Sequence, residues 1–207
     1  PNTSQAVKQI VIVGGGTAGW LTACVLAAEF HLSDDFTITL VESPDTPTIG
    51  VGEGTWPSMR STLKKIGINE AEFLLETKAT IKLGIKFEYW KNSEESYFHT
   101  FGAAGKSAPF CQFHHYLKRA QDAGLKDNLW DYDLNYLCAT QGKFAQIKSK
   151  DPIIDIPYAF HFDAGLYAQF LRKFSEKIGV KRTQGMVENV KQCQKSGHVN
   201  ALVLKSG

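Results

Sequence analysis

Cysteine is scarce in this chain and follows no pattern. Cys24, Cys111, Cys138 and Cys193 are the four cysteines among 207 residues; no two form C-x-x-C, and their spacing matches no zinc motif. Six histidines include the pair His114 and His115, but H-E-x-x-H does not occur. Neither a structural nor a catalytic metal is expected, and the thiols read as reduced, in a reducing compartment. Cys24, inside an apolar helical stretch, reads as a small core residue. Long apolar runs are missing as well. Residues 10–13 are too few to span a bilayer, and the start lacks the basic-then-apolar layout of a secretory leader. No membrane association and a cytoplasmic location are the expectation. Charge of one sign is also missing. A net charge of +2, with lysines and arginines spread out, leaves no basic block to track a nucleic acid. What is there is ordinary for a globular protein, 43% apolar and 21% charged, long enough for a real core in one domain or two.

Glycine carries the strongest signal. The apolar run Ile10-Val11-Ile12-Val13 breaks into Gly14-Gly15-Gly16-Thr17-Ala18-Gly19, then reads as a helix over Thr17–Phe30. Gly14, Gly16 and Gly19 have the G-x-G-x-x-G spacing. The first permits the tight turn, the second lets backbone approach a pyrophosphate, and the third lets helix pack on strand. Free N–H groups and the positive end of the helix dipole then face the phosphates. A second strand, 36–41, ends in Glu42, where a ribose hydroxyl partner belongs. The alternative is a glycine-rich loop in an unrelated α/β protein, with Glu42 a solvated acid.

Beyond this βαβ unit, Gly50-Val51-Gly52-Glu53-Gly54-Thr55-Trp56-Pro57 places three glycines in five residues, as backbone pressed against a ligand or another loop would need. Pro57 opens a helix, Ser58–Lys65, and Asn69 caps another, Glu70–Glu76. Residues 80–90 alternate as one half-buried strand, with Ile81, Leu83, Ile85 and Phe87 on one face and Lys82, Gly84, Lys86 and Glu88 on the other. Residues 97–101 are its candidate partner. Residues 110–148 read as a mostly helical, aromatic-rich layer. Asp163 caps a helix over 164–178, with a stripe of Leu166, Phe170, Phe174 and Ile178, and Gly179 ends it. Strands at 180–183, 186–192 and 199–204 close the chain, and helix and antiparallel strands after an inserted sheet suit a flavoprotein monooxygenase better than a plain dehydrogenase.

These pieces together resemble the flavin-dependent tryptophan halogenase family. The matching segments are Gly14 to Trp20, Gly50 to Pro57, Lys82 to Phe87 with Trp90, Phe98 to Gly102, and Tyr158 to Ala164. The resemblance implies an α/β, Rossmann-like FAD-binding fold of the flavin monooxygenase type with an inserted sheet and helical layer. The whole chain, 1–207, would be the N-terminal part of one such domain. It divides into a dinucleotide unit with flavin loop at 8–57, inserted strands and helices at 80–150, and a return helix and strands at 158–207. FAD would lie on Gly14, Gly16, Thr17, Ala18 and Gly19, with Glu42, Val51, Gly52, Glu53, Gly54 and Val187 completing its site. From the residues alone, Glu53 is equally a loop acid and Val187 a strand valine.

The resemblance further implies reduced flavin (FADH2) delivered by a separate flavin reductase, a flavin hydroperoxide, and a halide ion converted to hypohalous acid. The oxidant would reach Lys82 beside a small electron-rich aromatic substrate, chlorinating or brominating an indole or tryptophan-like ring held between His99 and Phe101. From the residues alone Lys82 reads as a solvated strand lysine, His99 as a surface histidine and Phe101 as core. Lys86 lies about 13 Å along the strand, too far to alter Lys82 much. A homodimer is the oligomer to test for. Alternatives on the same fold are an aromatic hydroxylase and a non-catalytic flavin-binding domain.

Two departures stand out. Gly54 occupies a position where the family carries alanine, a change expected to be tolerated. W-x-W-x-I-P, the family's downstream glutamate and its C-terminal substrate region do not occur. The chain is therefore expected to be an incomplete one that alone binds FAD poorly and does not halogenate.

Overall fold

The computed structural model describes residues 7–30, 36–47, 52–146 and 156–205. In chain order the elements are β1 (Gln9–Val13), α1 (Thr17–Phe30), β2 (Thr37–Glu42), β3 (Gly52–Gly54), α2 (Ser58–Lys65), α3 (Glu70–Glu76), β4 (Thr80–Lys82), β5 (Gly84–Glu88), β6 (Ser96–Thr100) and α4 (Phe113–Asp122). A 3-10 turn (Leu129–Tyr132), α5 (Leu134–Thr140), β7 (Ala159–Asp163), α6 (Ala164–Lys177), β8 (Lys181–Gln184), β9 (Val187–Gln192) and β10 (Val199–Leu204) follow. Two compact units emerge. The first comprises Pro1–Glu53, Arg60–Ala79 and Phe162–Gly207, and the second Gly54–Met59 and Thr80–His161.

In the first unit, β1, β2 and β8 form a parallel sheet in that order. From sequence all the tail strands are expected to be antiparallel. β8 instead joins the opening sheet in parallel, because α6 carries the chain back as a crossover, and only β9 and β10 pair antiparallel. The expected α6 stripe also needs correction. The buried residues are Ala164, Tyr167, Ala168, Phe170, Leu171 and Ser175, whereas Leu166, Phe174 and Ile178 are only half-buried. α6 packs on α1, where Trp20, Ala23, Cys24 and Ala27 are buried. Small residues let two helices approach closely, and they contribute little to a hydrophobic pattern, so an aliphatic stripe misplaces the face. Cys24 Sγ lies 2.9 Å from Ser175 Oγ at this contact, and burial pushes the thiol up to about 11. Phe73 of α3 seals the other side, with ring contacts to Phe162, Tyr167 and Phe170 at 5.6–6.3 Å. Asn69 and Asp163 cap α3 and α6 by accepting backbone N–H bonds, as expected from sequence.

In the second unit β5 pairs with β6, and Thr80–Lys82 of β4 with Ala159–His161 of β7, both antiparallel. The single strand expected over 80–90 is therefore two strands in two sheets, parted at Leu83. The Leu83 carbonyl accepts the Phe101 N–H at 3.0 Å, in register with the β5–β6 pairing, and Asn135 Nδ2–H at 3.2 Å, so it is held from two sides where the strands part. Lys82 and Leu83 are both buried. Asn135, 1% exposed, also donates to the Pro157 carbonyl at 2.6 Å. Asp133 caps α5 and accepts the Thr100 hydroxyl at 2.5 Å, tying β6 to the helix. The helical layer expected over 110–148 resolves into α4, the 3-10 turn and α5, with Trp130 stacked on Tyr136.

Candidate functional site

The first unit holds a cavity of about 500 Å³ at the glycine turn. Gly14 has φ +115°, and its N–H donates to the Val41 carbonyl at 2.8 Å, which closes the turn onto β2. The three motif glycines differ in what requires them. A Cβ at Gly19 would overlap the Gly14 carbonyl oxygen, so this glycine serves helix–strand packing. A Cβ at Gly16 would meet nothing within 4 Å and would stand in open space instead. Gly14, Gly16, Thr17, Ala18, Glu42, Glu53 and Val187 line the cavity. The Thr17 hydroxyl donates to Glu53 at 3.3 Å. Of the other residues expected here, Gly19 lies behind the turn, Gly52 and Gly54 are not among the lining, and Val51 falls outside the described residues.

Glu42 is held by residues that sequence patterns do not reveal. Arg182 Nε–H meets its carboxylate at 2.5 Å, Trp20 Nε1–H donates to it at 3.3 Å, and Arg172 lies 4.0 Å away. Arg182 reaches Glu42 because parallel pairing sets it opposite Leu40. Gly15 has a role too, since a Cβ there would overlap the Glu42 carboxylate.

The second unit carries Lys82. Its residue is 8% exposed, and Nζ donates to the Thr55 carbonyl at 3.1 Å. Nζ lies 5.7 Å from the Trp56 ring centre and 5.5 Å from that of Phe101. Burial pushes the Lys82 ammonium below its ordinary value. Lys86, by contrast, is exposed, and its partner Glu88, 2.5 Å away, raises it. The two lysines that alternation places on one face therefore diverge.

His99 and Phe101 both come to this place. Each makes a ring contact with Trp56, at 6.5 Å for His99 and 5.6 Å for Phe101. Trp56 is 54% exposed. The sequence signal for Trp56 is its position before Pro57; that for His161 is its place in alternating β7. His161 neighbours Lys82, and burial and then the Lys82 charge push the imidazole below its ordinary value. Among the described residues no group of three or more His, Cys, Asp or Glu gathers as metal ligands, and no helix is long and apolar enough to cross a membrane.

A parallel β-α-β arrangement with a glycine turn beside a cavity of about 500 Å³ defines the first unit as α/β in class. The tryptophan halogenase family model matches residues 9–207, and the chain belongs to that family. It is 34% identical to the tryptophan 7-halogenase RebH of Lentzea aerocolonigenes, over 99% of this chain and 41% of that protein. Among solved structures it resembles Xcc4156, a flavin-dependent halogenase from Xanthomonas campestris, with TM-score 0.89 and 40% identity over 97% of this chain and 39% of that one. BrvH, a flavin-dependent halogenase from Brevundimonas sp. BAL3, gives TM-score 0.85 and 36% identity over 96% of this chain and 39% of its own. The chain thus spans about two fifths of the relatives it matches.

Proposed function

We propose that this chain is the cofactor-binding and lysine-bearing portion of a flavin-dependent halogenase acting on a small indole or tryptophan-like aromatic. One observation carries the reading: a buried lysine whose Nζ is held on a backbone carbonyl under two aromatic rings. Lysine that is withdrawn from water has more of its amine unprotonated at a given pH and is a better nucleophile.

The glycine turn fits FAD, since Gly16 leaves open the space that a phosphate cradle needs. Gly14, Gly16, Thr17 and Ala18 would hold its pyrophosphate, Glu42 its ribose, and Val187 the adenine side, with Glu53 ordering the turn through Thr17. Gly19 supports the turn from behind. When bound, reduced flavin from a separate reductase supplies, with oxygen and halide, a hypohalous oxidant. Lys82 then acts in one of two ways. Its nitrogen forms an N–X bond as the O–X bond breaks and water leaves with the amine's proton, or its N–H polarises the oxidant by hydrogen bonding. His99, Phe101 and Trp56 supply the aromatic wall that orients the ring being halogenated.

The test uses the full-length protein with FAD, a flavin reductase, NADH, oxygen and bromide or chloride. A halogenated indole identified by mass spectrometry supports the reading. Rapid flavin reduction by NADH without a reductase, with an oxygenated product, would support the hydroxylase alternative instead.

A further inference from the structure

Resting on the assignment of Lys82 as the residue that carries the oxidant, we propose that Asp133 and Asn135 are positioning residues, which fix the strand bearing Lys82 against the strand bearing His99 and Phe101. Both sit at the start of α5, and both are buried.

Asn135 acts on the lysine side. Its Nδ2 carries two N–H bonds and both are used, on the Leu83 carbonyl at 3.2 Å and the Pro157 carbonyl at 2.6 Å. Leu83 directly follows Lys82, and its carbonyl also accepts the Phe101 N–H at 3.0 Å. One oxygen thus joins the lysine segment, the ring segment and α5. The amide is fixed in this orientation. Its Oδ1, which has no hydrogen-bond partner among the described residues, lies against Gly102, where a Cβ would stand only 2.7 Å away. Turned over, the oxygen would face two carbonyl acceptors, and both hydrogen bonds would be lost.

Asp133 acts on the ring side. Side chains alternate along β6 and into Phe101, so Thr100 points away from His99 and Phe101. The Thr100 hydroxyl donates to Asp133 Oδ2 at 2.5 Å, while Asp133 Oδ1 accepts the Tyr136 N–H at 3.0 Å. The Phe98 ring, on the same face as Thr100, meets the Tyr136 ring at 6.0 Å. His99 and Phe101, on the other face, meet Trp56. The first turn of α5 therefore grips the back of the segment whose front carries the rings, and the same turn grips the carbonyl just after Lys82. These ties set the 5.5 Å between Lys82 Nζ and the Phe101 ring.

The experiment uses the full-length protein with reduced FAD, oxygen, bromide and indole, and reads the ratio of haloindole to trapped hypohalous acid. Loss of folded protein lowers both yields together, whereas misplacement of Lys82 against the rings lowers the ratio. Asn135→Ala is expected to lower it about 10-fold and Thr100→Val about 5-fold, as misplacement of a reacting group does. Thr100→Ser, which keeps the hydroxyl, is expected to stay within about 2-fold of wild type. A second readout needs no turnover: acylation of Lys82 across a pH series, with Lys86 as internal reference. In Asn135→Ala the Lys82 midpoint is expected to rise toward that of Lys86 by about half a pH unit, as burial of the ammonium is relieved. A wild-type ratio in both Asn135→Ala and Thr100→Val overturns the proposal. So does a Thr100→Ser variant as impaired as Thr100→Val, since the hydroxyl tie would then not matter. If wild type itself yields no haloindole, the assignment of Lys82 as oxidant carrier fails separately. The acylation midpoint then decides the positioning, and an unchanged midpoint in Asn135→Ala overturns it.

Discussion

Lys82 Nζ donates to the main-chain carbonyl of Thr55, 27 residues earlier, at 3.1 Å. A buried lysine usually needs a carboxylate partner. This one is held by a carbonyl and two ring faces, which stabilise the cation less than a carboxylate would and leave burial free to lower its pKa. An amine so placed is available as a nucleophile.

Lys82 and Lys86 should therefore separate on titration. Burial lowers Lys82, so its reactive amine form accumulates at lower pH. Glu88 raises Lys86, so its amine form appears only at higher pH. Competitive acylation followed by peptide mass spectrometry across a pH series should show Lys82 reaching half-maximal labelling first. The reverse order would contradict the burial of Lys82.

Gly16 and Gly19 should fail differently when changed to alanine. At Gly19 the new methyl group meets the Gly14 backbone, and overpacking of this kind costs about 1–3 kcal/mol. At Gly16 it meets nothing, so folding should hold while FAD binding weakens. Urea unfolding and flavin fluorescence titration of the full-length protein separate the two effects. Wild-type FAD affinity in Gly16→Ala would remove the phosphate-cradle role from that residue.

How far sequence reaches is clear from these residues. The bounds of α1, α2 and α3 were legible because each is signalled locally, by the glycine turn, Pro57 and Asn69. The break at Leu83 was not, because Asn135, whose side chain bonds the Leu83 carbonyl there, lies 52 residues away. Glu42 was legible as a strand-end acid, but Arg182, 140 residues on, becomes visible only through the pairing of β8 with β2. Lys82 came from a motif, and its burial came from the fold, since alternation alone sets it facing solvent.

Arg182→Ala should loosen Glu42. Removing one member of this partly buried pair leaves a carboxylate short of its strongest partner, at a cost of about 1–3 kcal/mol. FAD affinity should fall with it, since Glu42 would no longer be held at the cavity wall. Isothermal titration and thermal unfolding check both. An unchanged FAD affinity would show that Glu42 does not need Arg182 to meet the ribose.

Asn135→Leu should destabilise the second unit. The Leu83 and Pro157 carbonyls would lose a buried donor, at about 1–3 kcal/mol. Hydrogen exchange at β5 and β6 should rise most. Wild-type protection there would show that Asn135 does not anchor the break at Leu83.

The most direct measurement compares wild type with Lys82→Ala in the full-length protein, supplied with reduced FAD, oxygen, bromide and an indole, scoring haloindole and trapped hypohalous acid together. The expected result is unchanged FAD binding and continued release of trappable oxidant, with haloindole formation reduced about 10²-fold or more. Haloindole formation at the wild-type rate in Lys82→Ala would contradict the assignment of Lys82.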